Sequence, residues 1–358
     1  MKQVFTSLLL VLLGISMYAT IRTVSNTPST LAQYNTIQAA INASASGDTI
    51  YVHGSPNVYA AFTITDKQLV IIGPGWSPNK NLPFVASVAG CTITGASSSN
   101  TELHGLYFTT TININTSHPD NLRFIRNSFE GLYLYINQGS TTYTGYLFEG
   151  NVFNNSQVAA ATNSTYQNFL FQNNYFHEYG CCVSANISGF TNSINVLFNH
   201  NLWYGPGSGT RDCFGGNSRF LTITNNIFVK RHPSNNNSLS TFNNNITFNA
   251  GDNTPWASNS NVDGGGNVAN QDPQMASQTS VNAGTYNPLL DFTIAAGPAN
   301  NSGSDGKDMG LLYDAAGSLN WTTSRTSRLP FIFSMNIINP TIPQAGTLNV
   351  QVEARKNN

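Results

Sequence analysis

"FLFQNNYF", residues 169–176, sets two adjacent asparagines inside an apolar run. Asparagine is a poor strand former, so a single copy would read as an interrupted strand. The stretch recurs as Phe-x-x-Asn-x-aromatic: "FIRNSF" from Phe124, "FEGNVF" from Phe148, "FQNNYF" from Phe171 and "FNHNLW" from Phe198. "ITNNIF" from Ile223 puts isoleucine in the first place, and "FNNNITF" from Phe242 is a looser copy. The recurring asparagines are Asn127, Asn151, Asn174, Asn201, Asn226 and Asn245, spaced 24, 23, 27, 25 and 19 residues apart. Upstream, "LHGLYF" (103–108) keeps the rhythm with Leu106 in the asparagine place.

A period in the low twenties means stacked structural repeats. Leucine-rich repeats share the length, but their alternating leucines and helical convex side are missing. Phe, Ile, Thr and Asn dominate, and no helical period runs between copies, which points to an all-β solenoid: a parallel β-helix of about a dozen coils stacked at about 4.8 Å. Asparagine tolerates the left-handed backbone of a sharp bend, and stacked amides bond from coil to coil. The flanking aromatics are expected to point inward in columns. On this reading the six asparagines are scaffold.

Composition agrees. Charged residues are 9% of the 358, the net charge is -1, and 40% are hydrophobic, 11% aromatic. This is neither a nucleic-acid footprint nor a disordered chain; "KRH" (230–232) is too short for a basic patch.

The ends need caps, because an open β-helix exposes strand edges. In "YNTIQAAINASASGDTIYV" (34–52), Ile37, Ala40 and Ile41 share one helical face, predicting an N-terminal capping helix. Near the C-terminus Leu348, Val350, Val352 and Ala354 alternate, predicting two or three closing strands. Lys2 followed by "LLLVLLGI" (8–15) reads as an export segment with a cut near Ala19 or Thr20. The boundaries are thus 1–19 for the signal peptide, 20–320 for the β-helix and 321–358 for the C-terminal strand cap. The chain is expected to be secreted or at the cell surface, not transmembrane, and a monomer. In that setting Cys91, Cys181, Cys182 and Cys213 can oxidise; Cys213 pairing with Cys181 or Cys182 stands beside four small apolar thiols.

"TIQAAINASASGDTIYVHG" (36–54) and "ITDKQLVIIGPG" (64–75) resemble the capping helix and first coils of the pectin lyase-like superfamily of right-handed parallel β-helix proteins. "GNVANQDPQM" (266–275) and "LLDFTIAAGPANNSGSDGKDMGLL" (289–312) are similar to the last coils of exported bacterial members, although Gly297-Pro298-Ala299-Asn300-Asn301 replaces their middle motif. The resemblance spans roughly residues 30–315. It implies a right-handed helix and an extracellular polysaccharide as partner, while the activity stays open among lyase, hydrolase, esterase and non-enzymatic adhesin.

The clustered aspartates of the family's hydrolases are absent, so a polysaccharide lyase is the better enzymatic reading than a glycoside hydrolase. A lyase needs a base beside the uronate carboxylate and a cation to neutralise it. The repeat register stacks Glu130, Asn154, His177, Tyr204 and Val229 in one column and Gly131, Asn155, Glu178, Gly205 and Lys230 in the next. The expected catalytic set is therefore Lys230 and Arg231 as base and carboxylate partner, with Tyr204 or His177 as proton donor. Glu178, Arg211, Asp212 and Arg219 are the expected substrate contacts, the last three in or beside the turn 204–219. An ordinary solvated turn is the competing reading, as is a structural or adhesive surface protein without catalysis. No cofactor or metal is expected. Calcium at "SDGKDMG" (304–310) is the exception left open, though the loop lacks a calcium site's ligand count.

Overall fold

The computed structural model describes residues 19–355 except 29, 77–83, 116, 137–138, 179–184, 208–210, 314–318, 322–330 and 339–344. The export segment and the Cys181–Cys182 pair lie outside the described residues. Cys91 and Cys213 are buried free thiols. No helix among the described residues is long and apolar enough to cross a membrane.

The chain is a parallel β-helix of about nine turns. Three long parallel sheets form its walls: sheet A of eleven strands, sheet B of eight and sheet C of seven, among the described residues. The central coils each supply one short strand to each wall. The register stacks like on like. Phe124, Phe148, Phe171 and Phe198 form the inward column of sheet A, with successive ring centroids 4.9, 4.4 and 4.5 Å apart. Phe129, Phe153, Phe176 and Trp203 do the same in sheet B at 4.6, 4.7 and 3.8 Å. All are buried, each contributing about 1.5–3 kcal/mol by leaving water.

The repeated asparagines form a buried ladder at the corner between sheets A and B. Each Oδ1 accepts from the backbone and side-chain nitrogens of the asparagine one coil earlier; for Asn174 these are Asn151 N at 2.9 Å and Asn151 Nδ2 at 3.0 Å. Each Nδ2 also donates to a carbonyl one coil back, Phe148 O at 2.9 Å for Asn174. Every amide is therefore satisfied inside a dry corner, the condition for burying it. A seventh rung, Asn267, accepts from Asn245 N at 2.9 Å, and the Leu106 backbone N–H closes the other end on Asn127 Oδ1 at 3.0 Å.

One expectation shifts by a residue. The left-handed position is not the rung but the residue before it: Gly105, Arg126, Gly150, Asn173, His200, Asn225, Asn244 and Gly266, with φ between 50° and 69°. In "QNNY" the first asparagine makes the bend and the second makes the ladder. The residue after each rung takes the other side of the strand. Val152, Tyr175, Leu202, Ile227 and Ile246 point out of sheet B, opposite to Phe153 and its column.

The capping helix α1, Ile37–Ala43, buries Ile37, Ala40 and Ile41, and Thr36 caps it by accepting from Ala39 N at 3.1 Å. Ahead of it, Ile21–Val24 adds an outer strand to sheet A, paired with Thr49–Val52.

The last strand of sheet A is Val262–Asp263. The segments resembling further coils do not continue the stack, which is why the turns are fewer than a dozen. Residues 268–313 and 319–321 fold back along the outer face of sheet B: Gly310 N bonds Asn225 O, Leu312 N bonds Asn173 Oδ1, and Asn320 O accepts from Arg126 Nη1. Met275, Val281, Phe292, Ile294, Met309 and Trp321 from this return segment pack on the outward residues of sheet B as a second core. Trp321 lies 5.2 Å from Trp76, which bonds Gly150 O. Where two or three closing strands are expected, one antiparallel pair stands, Phe331–Ile337 with Val350–Arg355, and its Ile337, Val350 and Val352 are exposed.

Candidate functional site

The column Glu130, Asn154, His177, Tyr204, Val229 runs up sheet B in the register read from the repeats. The return segment lies across it. His177 Nε2 is 3.0 Å from Gly284 O, and its Nδ1 is 3.0 Å from Asn154 Oδ1. The Tyr204 hydroxyl donates to Thr285 O at 2.8 Å, and Lys230 Nζ to Asn282 O at 2.6 Å. Tyr286 reaches back to Glu130 Oε1 at 2.6 Å. Burial pushes the His177 pKa down to about 4, although the Gly284 carbonyl favours the charged ring, and burial pushes the Tyr204 hydroxyl up to about 12. Three of the four residues expected to catalyse are thus bonded to the return segment, with His177 and Tyr204 fully buried.

The fourth, Arg231, turns the corner toward sheet C and meets Glu178, Arg211 and Asp212. Its Nη2 donates to Asn186 Oδ1 at 2.9 Å and to Asp212 O at 2.7 Å, and its Nε to Arg211 O at 3.3 Å. Glu178 Oε2 lies 3.7 Å from Arg231 Nη2, and Glu178 Oε1 3.9 Å from Arg211 Nε. Asn236 and Asn235 hold Asp212 Oδ2 at 2.9 and 3.3 Å. The corner is tight: a Cβ on Gly205 would sit 2.3 Å from the Glu178 carbonyl oxygen. Glu178 and Arg231 are fully buried, whereas the Arg211 side chain is 39% exposed. A buried guanidinium that faces a carboxylate and donates to three acceptors is spent on the corner itself, so Arg231 is arranged to organise it. Arg231 Nη1, Asp212 Oδ1 and His232 Nδ1 are buried without a hydrogen-bond partner among the described residues. The anticipated stripe is therefore two groups, one under the return segment and one at the B–C corner. Arg219 joins neither; it stands in Ser218–Arg219, past the other edge of sheet C.

Among the described residues no group of three His, Cys, Asp or Glu side chains is set to hold a metal ion. In the 304–310 turn, Asp305 Oδ2 pairs with His200 Nε2 at 3.2 Å and Asp308 Oδ1 accepts from Asn301 N at 2.8 Å.

Sheet C offers what the sequence reading passed over. Tyr133 and Tyr135 stand half-buried on its outer face, their rings parallel to within 4° and 5.3 Å apart. Gln157 and Ala159 lie beside them on the next coil, then Ser188, and Asn186 in the same row carries the bond to Arg231. The face runs from two aromatic rings, over small residues, to the charged corner. Its signal was the period-two alternation of "LYLYI" (132–136), leucine in and tyrosine out.

No family model matches the chain, and no curated protein matches it. Among solved structures, the crystal structure of pectate lyase Pel9A is similar at 15% identity and a TM-score of 0.42, over 87% of this chain and 98% of that one. A variant of the PL6 family alginate lyase AlyGC is similar at 13% identity and a TM-score of 0.29, over 59% of this chain and 33% of that one. Both likenesses are too loose to say what this chain does. Its own parallel ladders, asparagine corner and capping helix are the architecture that the resemblance to pectin lyase-like β-helix proteins implies.

Proposed function

We infer that the protein is an exported β-helix that binds an extracellular polysaccharide across the outer face of sheet C. The observation that carries this is the parallel, half-buried pair Tyr133–Tyr135 on the outer face of sheet C, whose rows lead past the half-buried Ala159 and Ser188 to the Arg231–Glu178–Asp212 corner. Aromatic rings take the C–H faces of sugars, and the exposed Arg211 is the charge best placed to meet a uronate carboxylate. The buried acids and Arg231 hold that corner in shape. Binding without turnover is the form this geometry supports: His177, Tyr204 and Lys230, the remaining candidates for proton transfer, are bonded to the return segment. Export rests on Lys2 and the apolar run 8–15.

Affinity electrophoresis of the secreted protein in gels containing uronate and neutral polysaccharides tests the reading. At least one uronate polymer should retard the parent, and Tyr133→Ala with Tyr135→Ala should abolish that retardation. Retardation untouched by the double substitution would remove sheet C as the site. Ultraviolet absorbance of unsaturated product, lost in Arg211→Ala, would replace binding by lyase action. Intact mass of secreted material should begin near residue 20; Met1 retained in a cytosolic fraction would remove the export claim.

A further inference from the structure

A second open groove runs along the entry corner of sheet A, and its chemistry differs from that of sheet C. Two adjoining depressions, of about 470 and 340 Å³, share Asn168 and Leu170 and extend from Glu102 to Thr222. Their floor is the outward column of sheet A: Glu102, Arg123, Leu147, Leu170, Leu197 and Thr222, one residue per coil over six coils. The three leucines are half-buried, on a face that the described residues of the return segment do not pack against. One border is a row of exposed corner asparagines, Asn100, Asn121, Asn168 and Asn195, all left-handed with φ between 54° and 62°. The other border carries the half-buried Glu149, Gln172 and Asn199. Asn195 Nδ2 bonds Asn168 Oδ1 at 3.2 Å, which leaves most of the capacity of these amides to solvent.

We propose that this groove binds an uncharged polysaccharide laid along the helix axis, one sugar per coil. A floor with three successive leucines at its centre, between polar borders rich in amides, matches a pyranose chain, whose ring faces are C–H and whose edges are hydroxyls. Coils repeat at about 4.8 Å, close to the advance per sugar of an extended chain, so each ring meets one floor residue and one corner residue in register. Charge selects the class. Glu102 and Glu149 face the groove against the single exposed cation Arg123, and Glu102 already pairs with His104 at 2.8 Å. A polyuronate, with a carboxylate on every ring, would find no surplus of cations here: Arg123 is balanced by Glu102 on the floor, and Arg126 by Glu149 at the border. The proposal stands independently of binding at sheet C.

The test is calorimetric titration of the full chain with neutral cello-, manno- and xylo-oligosaccharides of two to eight units and with a galacturonate hexamer. Affinity for one neutral series should rise with length and level off near six units. Leu170→Glu, which sets a carboxylate on the floor of an otherwise unchanged coil, should weaken it at least about tenfold. Asn168→Gly paired with Asn195→Gly, which keeps the backbone, should weaken it too, and the Tyr133→Ala, Tyr135→Ala protein should bind as the parent does. No neutral series bound by the folded parent would overturn the proposal. Galacturonate bound in a Leu170-dependent way would overturn its charge argument. A change of oligomeric state on Leu170→Glu, read by light scattering, would assign the groove to self-association instead.

Discussion

Asparagine runs up two edges of sheet A. At the edge shared with sheet B, the rungs Asn127 to Asn245 are fully buried, and each amide bonds the coils before and after it. At the opposite edge, Asn100, Asn121, Asn168 and Asn195 are exposed and take up the left-handed bend themselves. One residue type thus serves two separable purposes: a planar amide that satisfies a dry corner, and a backbone that tolerates positive φ. The faces beyond the two edges differ likewise. Beyond the buried ladder, sheet B is roofed by the return segment and becomes a second core; beside the exposed row, the outward leucines of sheet A join no such core among the described residues.

Four substitutions or titrations sharpen this contrast. Removing an interior rung should cost most. Asn174→Ala leaves Asn151 N, Asn151 Nδ2 and Phe148 O without their partner, and each stranded buried group costs about 1–3 kcal/mol. A denaturant midpoint close to the parent's would remove the ladder as a source of stability.

Next is the roof over sheet B, through pH. His177 has its pKa lowered to about 4 by burial, against an ordinary value near 6.5. The folded state therefore keeps the ring neutral while the unfolded chain protonates it. The stability from the neutral ring is complete above about pH 6.5 and is lost as pH falls toward and through 4, by roughly 3 kcal/mol in all. His177→Gln should flatten that part of the profile; equal slopes in both proteins would show that the ring does not govern it.

Asn267 should matter less than Asn174. It accepts from Asn245 but carries no further rung, and it is only part-buried. Asn267→Ala is expected to cost about 1 kcal/mol, and a loss as large as for Asn174→Ala would mean that ladder position does not set its energy. Smallest is Asn168→Gly, which keeps φ near 55° accessible and removes only an exposed amide; a change within about 0.5 kcal/mol is expected in thermal melts.

Much of the scaffold was legible because it repeats. Six of the seven rungs, the register of Glu130, Asn154, His177, Tyr204 and Val229, and the buried face of α1 follow from spacing alone. Asn267 was missed because "GGGNV" has no aromatic around its asparagine. The one-residue shift of the bend was hidden in pairs such as Asn173-Asn174 and Asn225-Asn226, where both members suit either task. The return segment was the larger omission. Its contacts with the column join residues 52 positions apart, Lys230 to Asn282, and 107 apart, His177 to Gly284, and no local period records such a contact. That is also why His177 and Tyr204 read as members of an exposed stripe. The apolar residue after each rung, Val152 through Ile246, was the available clue: five consecutive coils place one on the outside of sheet B, and something must cover it.

The division between the two asparagine rows is tested most directly by carrying Asn174→Ala and the Asn168→Gly, Asn195→Gly pair through the same two measurements, thermal melting and titration with the neutral oligosaccharides. The buried rung should lower the melting temperature and leave the affinity of the folded fraction unchanged; the exposed pair should weaken binding and melt with the parent. Melting lowered equally by both, or binding lost only on removing the buried rung, would contradict the account.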